Sequence, residues 1–293
     1  MYSQFFGNYL LSKHIIPVDK LISAIENLHT KHIKLGTLAI HAGLMTAAQV
    51  DAIVIRQTHE DKRFGELAIE EGYLTREQVN SLLDQQTPDY LLIGQYLVDN
   101  GTLTNAQLED LISSYQAENK ISNLEHTNIQ KENLHALIRN LFLITDTELS
   151  ENLFKYLTLL FNNLIRFIGE DFAPLNPSVC KEYLTSQCST QIINGEFSMT
   201  SYFDMQEDTA IIFASRYVKE KFEEYDEYVQ ASIEDFLNLH NGLFNVNVSN
   251  DDSIELFLNP PVSMENTLIS SASNMILLPI MYPFGILNFL IKL

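Results

Sequence analysis

Between residues 234 and 238 the chain carries two carboxylates and a primary amide, Glu234, Asp235 and Asn238, at spacings that a helix turns onto one face. An amide donates and accepts hydrogen bonds at once, and a neighbouring carboxylate makes ionic contacts, so the three side chains could hold a polar partner in a set orientation. The bland alternative is an acidic helix face that only meets water. A second set lies near the front of the chain. Lys34 is followed by Leu35, Gly36 and Leu38, and Arg63 by Phe64, Gly65 and Leu67, the two segments being 29 residues apart. Their recurrence at a fixed spacing marks a repeat. Cys180 and Cys188 form no CxxC pair and have no patterned histidine nearby, so buried reduced thiols are expected. His29 and His32 lack a third ligand, and His126 and His135 have no patterned partner, so no metal site is expected.

The elements that must position Asn238 read as an α+β domain. The helix is expected from Glu220 to His240, with Phe222, Tyr225, Tyr228, Val229, Ile233, Phe236 and Leu237 inward and Asp226, Glu227, Gln230, Glu234, Asp235 and Asn238 outward. Alternating residues predict strands at 190–194, 197–203 and 209–213 before it, and near 243–248 and 253–258 after it. The apolar run Met275–Leu293 is long enough for a membrane helix, but Pro279, Pro283, Gly285 and Asn288 favour two covered strands joined by a Tyr-Pro-Phe-Gly turn. Ahead of these, the polar stretch 117–133 reads as a linker. A helical stripe resumes at Leu134, and Thr145–Glu148 resembles a capping box before an apolar helix over 149–168.

The front of the chain is a tandem repeat. Gly7, Gly36, Gly65 and Gly94 recur every 29 residues, and each copy reads as a short helix, a tight turn and a second helix. Thr46-Ala-Ala-Gln49, Thr75-Arg-Glu-Gln78 and Thr104-Asn-Ala-Gln107 write the start of the second helix as the same capping box. Copy one is degenerate: His14 stands where the others have a second glycine. A lone hairpin cannot bury its apolar face, so each copy is expected to stack on its neighbours. The expected organisation is therefore all-α helical-hairpin repeats over 1–116, a linker and connecting helix over 117–147, and the α+β domain over 148–293.

The bulk numbers bound the function. With 46% apolar residues, 293 residues suffice for two cores. A formal charge of -20 repels polyanions and disfavours nucleic-acid binding, though a local basic pocket could still take a small anion. The start shows no charged segment followed by an apolar stretch and a cleavage site, which predicts the cytoplasm.

Two resemblances follow from these motifs. Lys34–Gln57 and Arg63–Gln86, with 58–62 as spacer, resemble the paired motifs of the MshEN family, the cyclic di-GMP-binding N-terminal domain of secretion and pilus ATPases. Carried over, Lys34 and Arg63 take the leading basic position, Leu35, Phe64, Leu38 and Leu67 make apolar contact, and Gly36 and Gly65 admit the ligand's close approach. Lys34 stands where the family has Arg, and copy four has Leu92 there. The other reading is a scaffold whose glycines serve only capping and close packing.

The segment Asp235-Phe-Leu-Asn238-Leu-His-Asn-Gly242 resembles the ExxNxxxG helix of the CheC/CheX chemotaxis phosphatases, with Pro261 at the family's distance beyond it. The resemblance covers roughly residues 148–293. It implies a bacterial signalling protein that hydrolyses the aspartyl phosphate of a CheY-like receiver, the Mg²⁺ belonging to the receiver and this chain needing no cofactor of its own. In that mechanism the Asn amide orients the attacking water and the acid contacts the receiver's lysine. Here Asn238 matches, Asp235 replaces Glu, and Glu234 is the alternative acid. The different-class alternative is a non-enzymatic adaptor, or cyclic di-GMP effector, whose phosphatase-like domain serves docking or homodimerisation.

Overall fold

The computed structural model describes residues 2–27, 32–84, 90–119, 137–142, 150–252 and 255–293. The chain divides into two compact units, Tyr2–Ala136 and Leu137–Leu293. The expected linker and the Thr145–Glu148 capping box lie largely outside the described residues; 117–119 are helical, as are 137–142.

The first unit is built from α1 (Tyr2–Ser12), α2 (Val18–Glu26), α3 (Leu35–His41), α4 (Ala47–Gln57), α5 (Phe64–Glu70), α6 (Arg76–Asp84), α7 (Tyr90–Asp99) and α8 (Asn105–Asn119). The turn chemistry is local and repeats. The N–H groups of Thr46, Thr75 and Thr104 donate to the side chains of Gln49, Gln78 and Gln107 at 2.9, 2.8 and 2.9 Å, and those glutamines' N–H groups donate back to the threonine hydroxyls. The first helix of each of these copies ends in a left-handed glycine, with φ of 66° at Gly43, 73° at Gly72 and 74° at Gly101. His14 fills the same place in copy one and takes the same conformation, with φ of 56°.

The order in which the copies pack differs from a simple stack. Copy one lies on copy four, α1 and α2 against α7, while α8 of copy four lies against α3 and α4 of copy two. Copies two and three meet at α4 with α5 and α3 with α6. Gly36, Gly65 and Gly94 each mark a close crossing within their own hairpin. A Cβ on Gly36 would meet Val50 at 2.8 Å, one on Gly65 would meet Val79 at 3.2 Å, and one on Gly94 would meet Leu108 at 2.5 Å.

The second unit is α+β. Its sheet contains β1 (Ala173–Pro174), β2 (Ser178–Leu184), β3 (Gln187–Gly195), β4 (Met199–Met205), β5 (Leu256–Leu258), β6 (Val262–Glu265), β7 (Leu268–Tyr282) and β8 (Gly285–Lys292). The strands run in the order β1-β7-β8-β4-β3-β5, with β2 also on β7 and β6 also on β3, and every pairing is antiparallel. The C-terminal apolar run is the β7–β8 hairpin, closed where Tyr282 pairs with Gly285. Among the described residues no helix is long and apolar enough to cross a membrane.

The helices α9 (Glu151–Phe167), α10 (Glu207–Val218) and α11 (Glu227–Asp252) accompany the sheet. Their meeting point with the sheet is aromatic. Phe203 of β4 lies 5.2 Å from Phe213 of α10, 5.5 Å from Phe236 of α11 and 5.7 Å from Phe289 of β8.

Three expected elements are corrected. Residues 209–213 are helix, because Glu207 and Asp208 favour a helix start and Thr209, Ala210, Phe213 and Ala214 form a helical buried stripe. Residues 243–248 extend α11, where Phe244 and Val248 continue the stripe of Leu237, His240 and Asn241. The alternation of Phe, Val and Asn there imitates a strand. The helix also starts later than Glu220, at Glu227, so Phe222 and Tyr225 precede it and Tyr228 is exposed. Its start is set by Asp226, whose carboxylate accepts from the N–H groups of Tyr228 and Val229 at 3.0 and 2.9 Å.

Candidate functional site

On α11 the buried face, Val229, Ser232, Ile233, Phe236, Leu237, His240, Asn241, Phe244 and Val248, fixes which side chains look outward. Asp235 and Asn238 are both exposed, one turn apart, and Glu234 is half-buried. Each is held by a different neighbouring element.

Asp235 Oδ2 accepts a hydrogen bond of 2.6 Å from the hydroxyl of Tyr217, at the end of α10. Burial first, and then the Asp235 carboxylate, push the Tyr217 phenol well above its ordinary value, so it stays a donor. Glu234 Oε1 accepts a short hydrogen bond from the Ser263 hydroxyl of β6 and another, at 3.1 Å, from the Gln230 amide. The two acids are thus unequally available: Glu234 is tied to the sheet edge, whereas Asp235 is exposed with Oδ1 unbonded among the described residues.

Asn238 Oδ1 accepts from Gln191 Nε2 of β3 at 2.8 Å. Gln191 is 1% exposed. Its Nε2 also donates to the Asn259 carbonyl at 2.7 Å, just before Pro260 and Pro261, and its Oε1 accepts from Asn241 Nδ2 at 2.8 Å. Asn241 in turn donates to Ser201 Oγ at 3.0 Å and accepts from the Tyr156 hydroxyl. Beside this chain His240 is fully buried, with Nδ1 3.1 Å from Asn163 Nδ2 and Nε2 unpartnered among the described residues. Burial pulls its pKa down to about 3, keeping the ring neutral.

Chemically, the outer face offers an amide, an exposed carboxylate beside it and a second, tethered carboxylate. Gln191, Tyr217 and Ser263 were not singled out by sequence reasoning. Gln191 left a readable trace: it shares the inward register of β3 with Ser189 and Ile193, and a glutamine in such a position needs polar partners. Gly242 lies within α11 with open space where a Cβ would stand.

The eight positions read from the repeats divide between the core and the surface of the first unit. Leu38 and Leu67 are buried in the core, and a Cβ on Gly36 would sit 3.2 Å from Phe64 while one on Gly65 would sit 3.1 Å from Leu35. Lys34 Nζ pairs with Asp99 at 2.6 Å, and Arg63 is exposed at the N-cap of α5, its N–H donating to Glu66 at 2.9 Å. Gly36 with Phe64 and Gly65 with Leu35 form a packing seam between copies two and three, and nothing supports cyclic di-GMP binding or an MshEN-type first half.

Among the described residues no group of three His, Cys, Asp or Glu could hold a metal ion. Cys180 and Cys188 are free thiols raised above their ordinary range by burial, and Cys188 sits in a small core with Tyr202, Ile269, Met275 and Leu290 against which Cys180 packs.

No family model matches the sequence, and no curated protein matches it. Among solved structures, a CheC-like superfamily protein from Shewanella sp. PV-4 is 18% identical with a TM-score of 0.43, the match covering 49% of this chain and 97% of that one. A chemotaxis protein CheX from Desulfovibrio desulfuricans is 15% identical with a TM-score of 0.43, over 49% of this chain and 99% of that one. A chain of a CheX–CheY–BeF3–Mg complex from Borrelia burgdorferi is 17% identical with a TM-score of 0.36, over 47% of this chain and 94% of that one.

Proposed function

We propose that the C-terminal unit docks a phosphorylated CheY-like receiver domain through the outer face of α11 and speeds hydrolysis of its aspartyl phosphate. The observation that carries this reading is the joint exposure of Asn238 and Asp235, one turn apart on a helix whose other side is anchored in the core. The likeness of residues 235–242 to the ExxNxxxG helix points the same way.

In this reading Asn238 enters the receiver's site and holds the attacking water. The water oxygen bonds to phosphorus, the bond from phosphorus to the receiver's aspartate breaks, and the products are a free carboxylate and inorganic phosphate, which takes both of the water's protons as H2PO4⁻. Mg²⁺ is expected on the receiver, where it would neutralise phosphoryl charge. Asp235 is the favoured ionic anchor, because its Oδ1 is unbonded among the described residues whereas Glu234 is engaged by Ser263 and Gln230. Placement of water, rather than covalent chemistry by the protein, supplies the rate. Cyclic di-GMP has no part in the proposal, since nothing supports its binding by the repeats.

The test is release of phosphate from a phosphorylated CheY-like receiver of the same organism, with the full chain and with Asn238→Ala. Acceleration that falls about a hundredfold in the variant supports the reading. No acceleration by the wild type across that organism's receivers overturns it and favours the adaptor.

A further inference from the structure

The polarity of the amide at Asn238 is decided from a carbonyl it does not touch. Backbone carbonyls only accept, and the Asn259 carbonyl lies 2.7 Å from one end of the Gln191 side chain, so that end is the nitrogen. The same nitrogen lies 2.8 Å from Asn238, so the Asn238 atom facing it must be the acceptor Oδ1. The other end of Gln191 is then an oxygen that needs a donor, and Asn241 Nδ2 supplies it at 2.8 Å. Asn241 turns its own oxygen to Tyr156, whose hydroxyl donates to it. Tyr156, Asn241 and Gln191 are at most 1% exposed, so bulk solvent does not reach them, and reversing one amide would leave like groups facing each other.

We infer that Gln191 is a positioning residue that orients Asn238 so that its Nδ2–H₂ group, not its oxygen, faces solvent and the docking partner. Nδ2 has no partner among the described residues. The group presented is therefore a double donor. Its match on a partner is an oxygen with lone pairs to give: a phosphoryl oxygen or the oxygen of the attacking water. This assignment rests on the receiver-phosphatase reading for the identity of that oxygen, but not for the direction in which the amide points. The Asn259-Pro260-Pro261 segment gains a role as well, since its first carbonyl sets the polarity of the whole chain.

Two measurements test it on the full chain. Side-chain amide hydrogen exchange by NMR should show Gln191 and Asn241 NH₂ protons protected and Asn238 NH₂ protons exchanging as exposed amides do. Protected Asn238 NH₂ protons overturn the assignment whether or not the protein is a phosphatase. In the dephosphorylation assay, Gln191→Glu replaces the nitrogen donor by oxygen and should turn Asn238 around, while Gln191→Met removes the donor without adding charge. For each variant that folds, kcat should fall at least about tenfold while KM for the phosphorylated receiver stays within about twofold. An active wild type with unchanged kcat in these variants, or a loss confined to KM, overturns the positioning role. An inactive wild type sinks the phosphatase reading and leaves the exchange result to decide the orientation.

Discussion

Tyr217 donates a hydrogen bond of 2.6 Å to Asp235, so the acid beside Asn238 is steered by α10 rather than left to sweep through solvent. Tyr217 is itself wedged edge-on against Phe236 at 5.7 Å and against Phe167 at 6.0 Å, which fixes where its hydroxyl can reach. Removing the hydroxyl with Tyr217→Phe keeps the ring packing. The expected outcome is a change of less than about 1 kcal/mol in stability, because the bond is exposed. KM for a phosphorylated receiver should rise while kcat is nearly kept, as expected of an anchor residue that loses its orientation. A parallel thermal melt and receiver titration separate the two effects.

His240 makes the second unit sensitive to acid. Its folded pKa, about 3, lies below its ordinary value of 6.5 because burial disfavours the charged ring. Between those values the unfolded chain binds the proton and the folded chain does not, so stability is lost as pH falls below 6.5. The slope from this one group approaches about 1.4 kcal/mol per pH unit well below 6.5, which integrates to roughly 1.6 kcal/mol between pH 6.5 and pH 5. Urea denaturation at those two pH values, in the wild type and in His240→Gln, checks it: the variant should lose most of that part of the pH dependence.

At the repeat crossings the expected cost follows the space available. Gly94→Ala, whose Cβ would lie 2.5 Å from Leu108, and Gly36→Ala, at 2.8 Å from Val50, should each destabilise the first unit by about 1–3 kcal/mol through overpacking. Denaturation followed by far-UV circular dichroism reads the loss. Wild-type midpoints in both variants would count against these glycines as packing points.

His14→Gly should act in the opposite direction. His14 holds a φ of 56° that its three counterparts meet with glycine. Relief of that left-handed conformation is expected to raise stability by about 0.5–1 kcal/mol after the added freedom of the unfolded chain is subtracted. The hydrogen-bond geometry between His14 Nδ1 and the Leu11 carbonyl, 3.1 Å, is the local contact given up. A melting midpoint lower than that of the wild type would contradict the expectation.

These cases show where the sequence was readable. Turn chemistry is local, so Gly72 and the Thr75–Gln78 capping box could be read from a few residues, and even the misfit His14 occupies the conformation that its place in the repeat demands. The C-terminal hairpin was legible because Pro283 and Gly285 interrupt an apolar run. Residues 209–213 and 243–248 were misread as strands because β-branched and alternating residues there are turned to helix by a helix-favouring start or by continuation of an existing stripe. At the candidate site the outward face of α11 could be read from periodicity. Its supports could not, because Gln191, Tyr217 and Ser263 come from elements whose approach to α11 depends on tertiary packing alone.

The order in which the four hairpins pack has a consequence for how the first unit assembles. Copy four sits between copies one and two, so the first and last segments of the repeat are neighbours in space although most of the repeat separates them in sequence. An open solenoid can be shortened or lengthened one module at a time, and its ends can fray independently. Here the repeat must bring its first and last copies together to seat copy one on α7, so its folding carries a loop-closure cost that an open array avoids. Deleting copy one would bare the flank of copy four rather than trim a free end, and an added fifth hairpin would find the place beside copy four already taken.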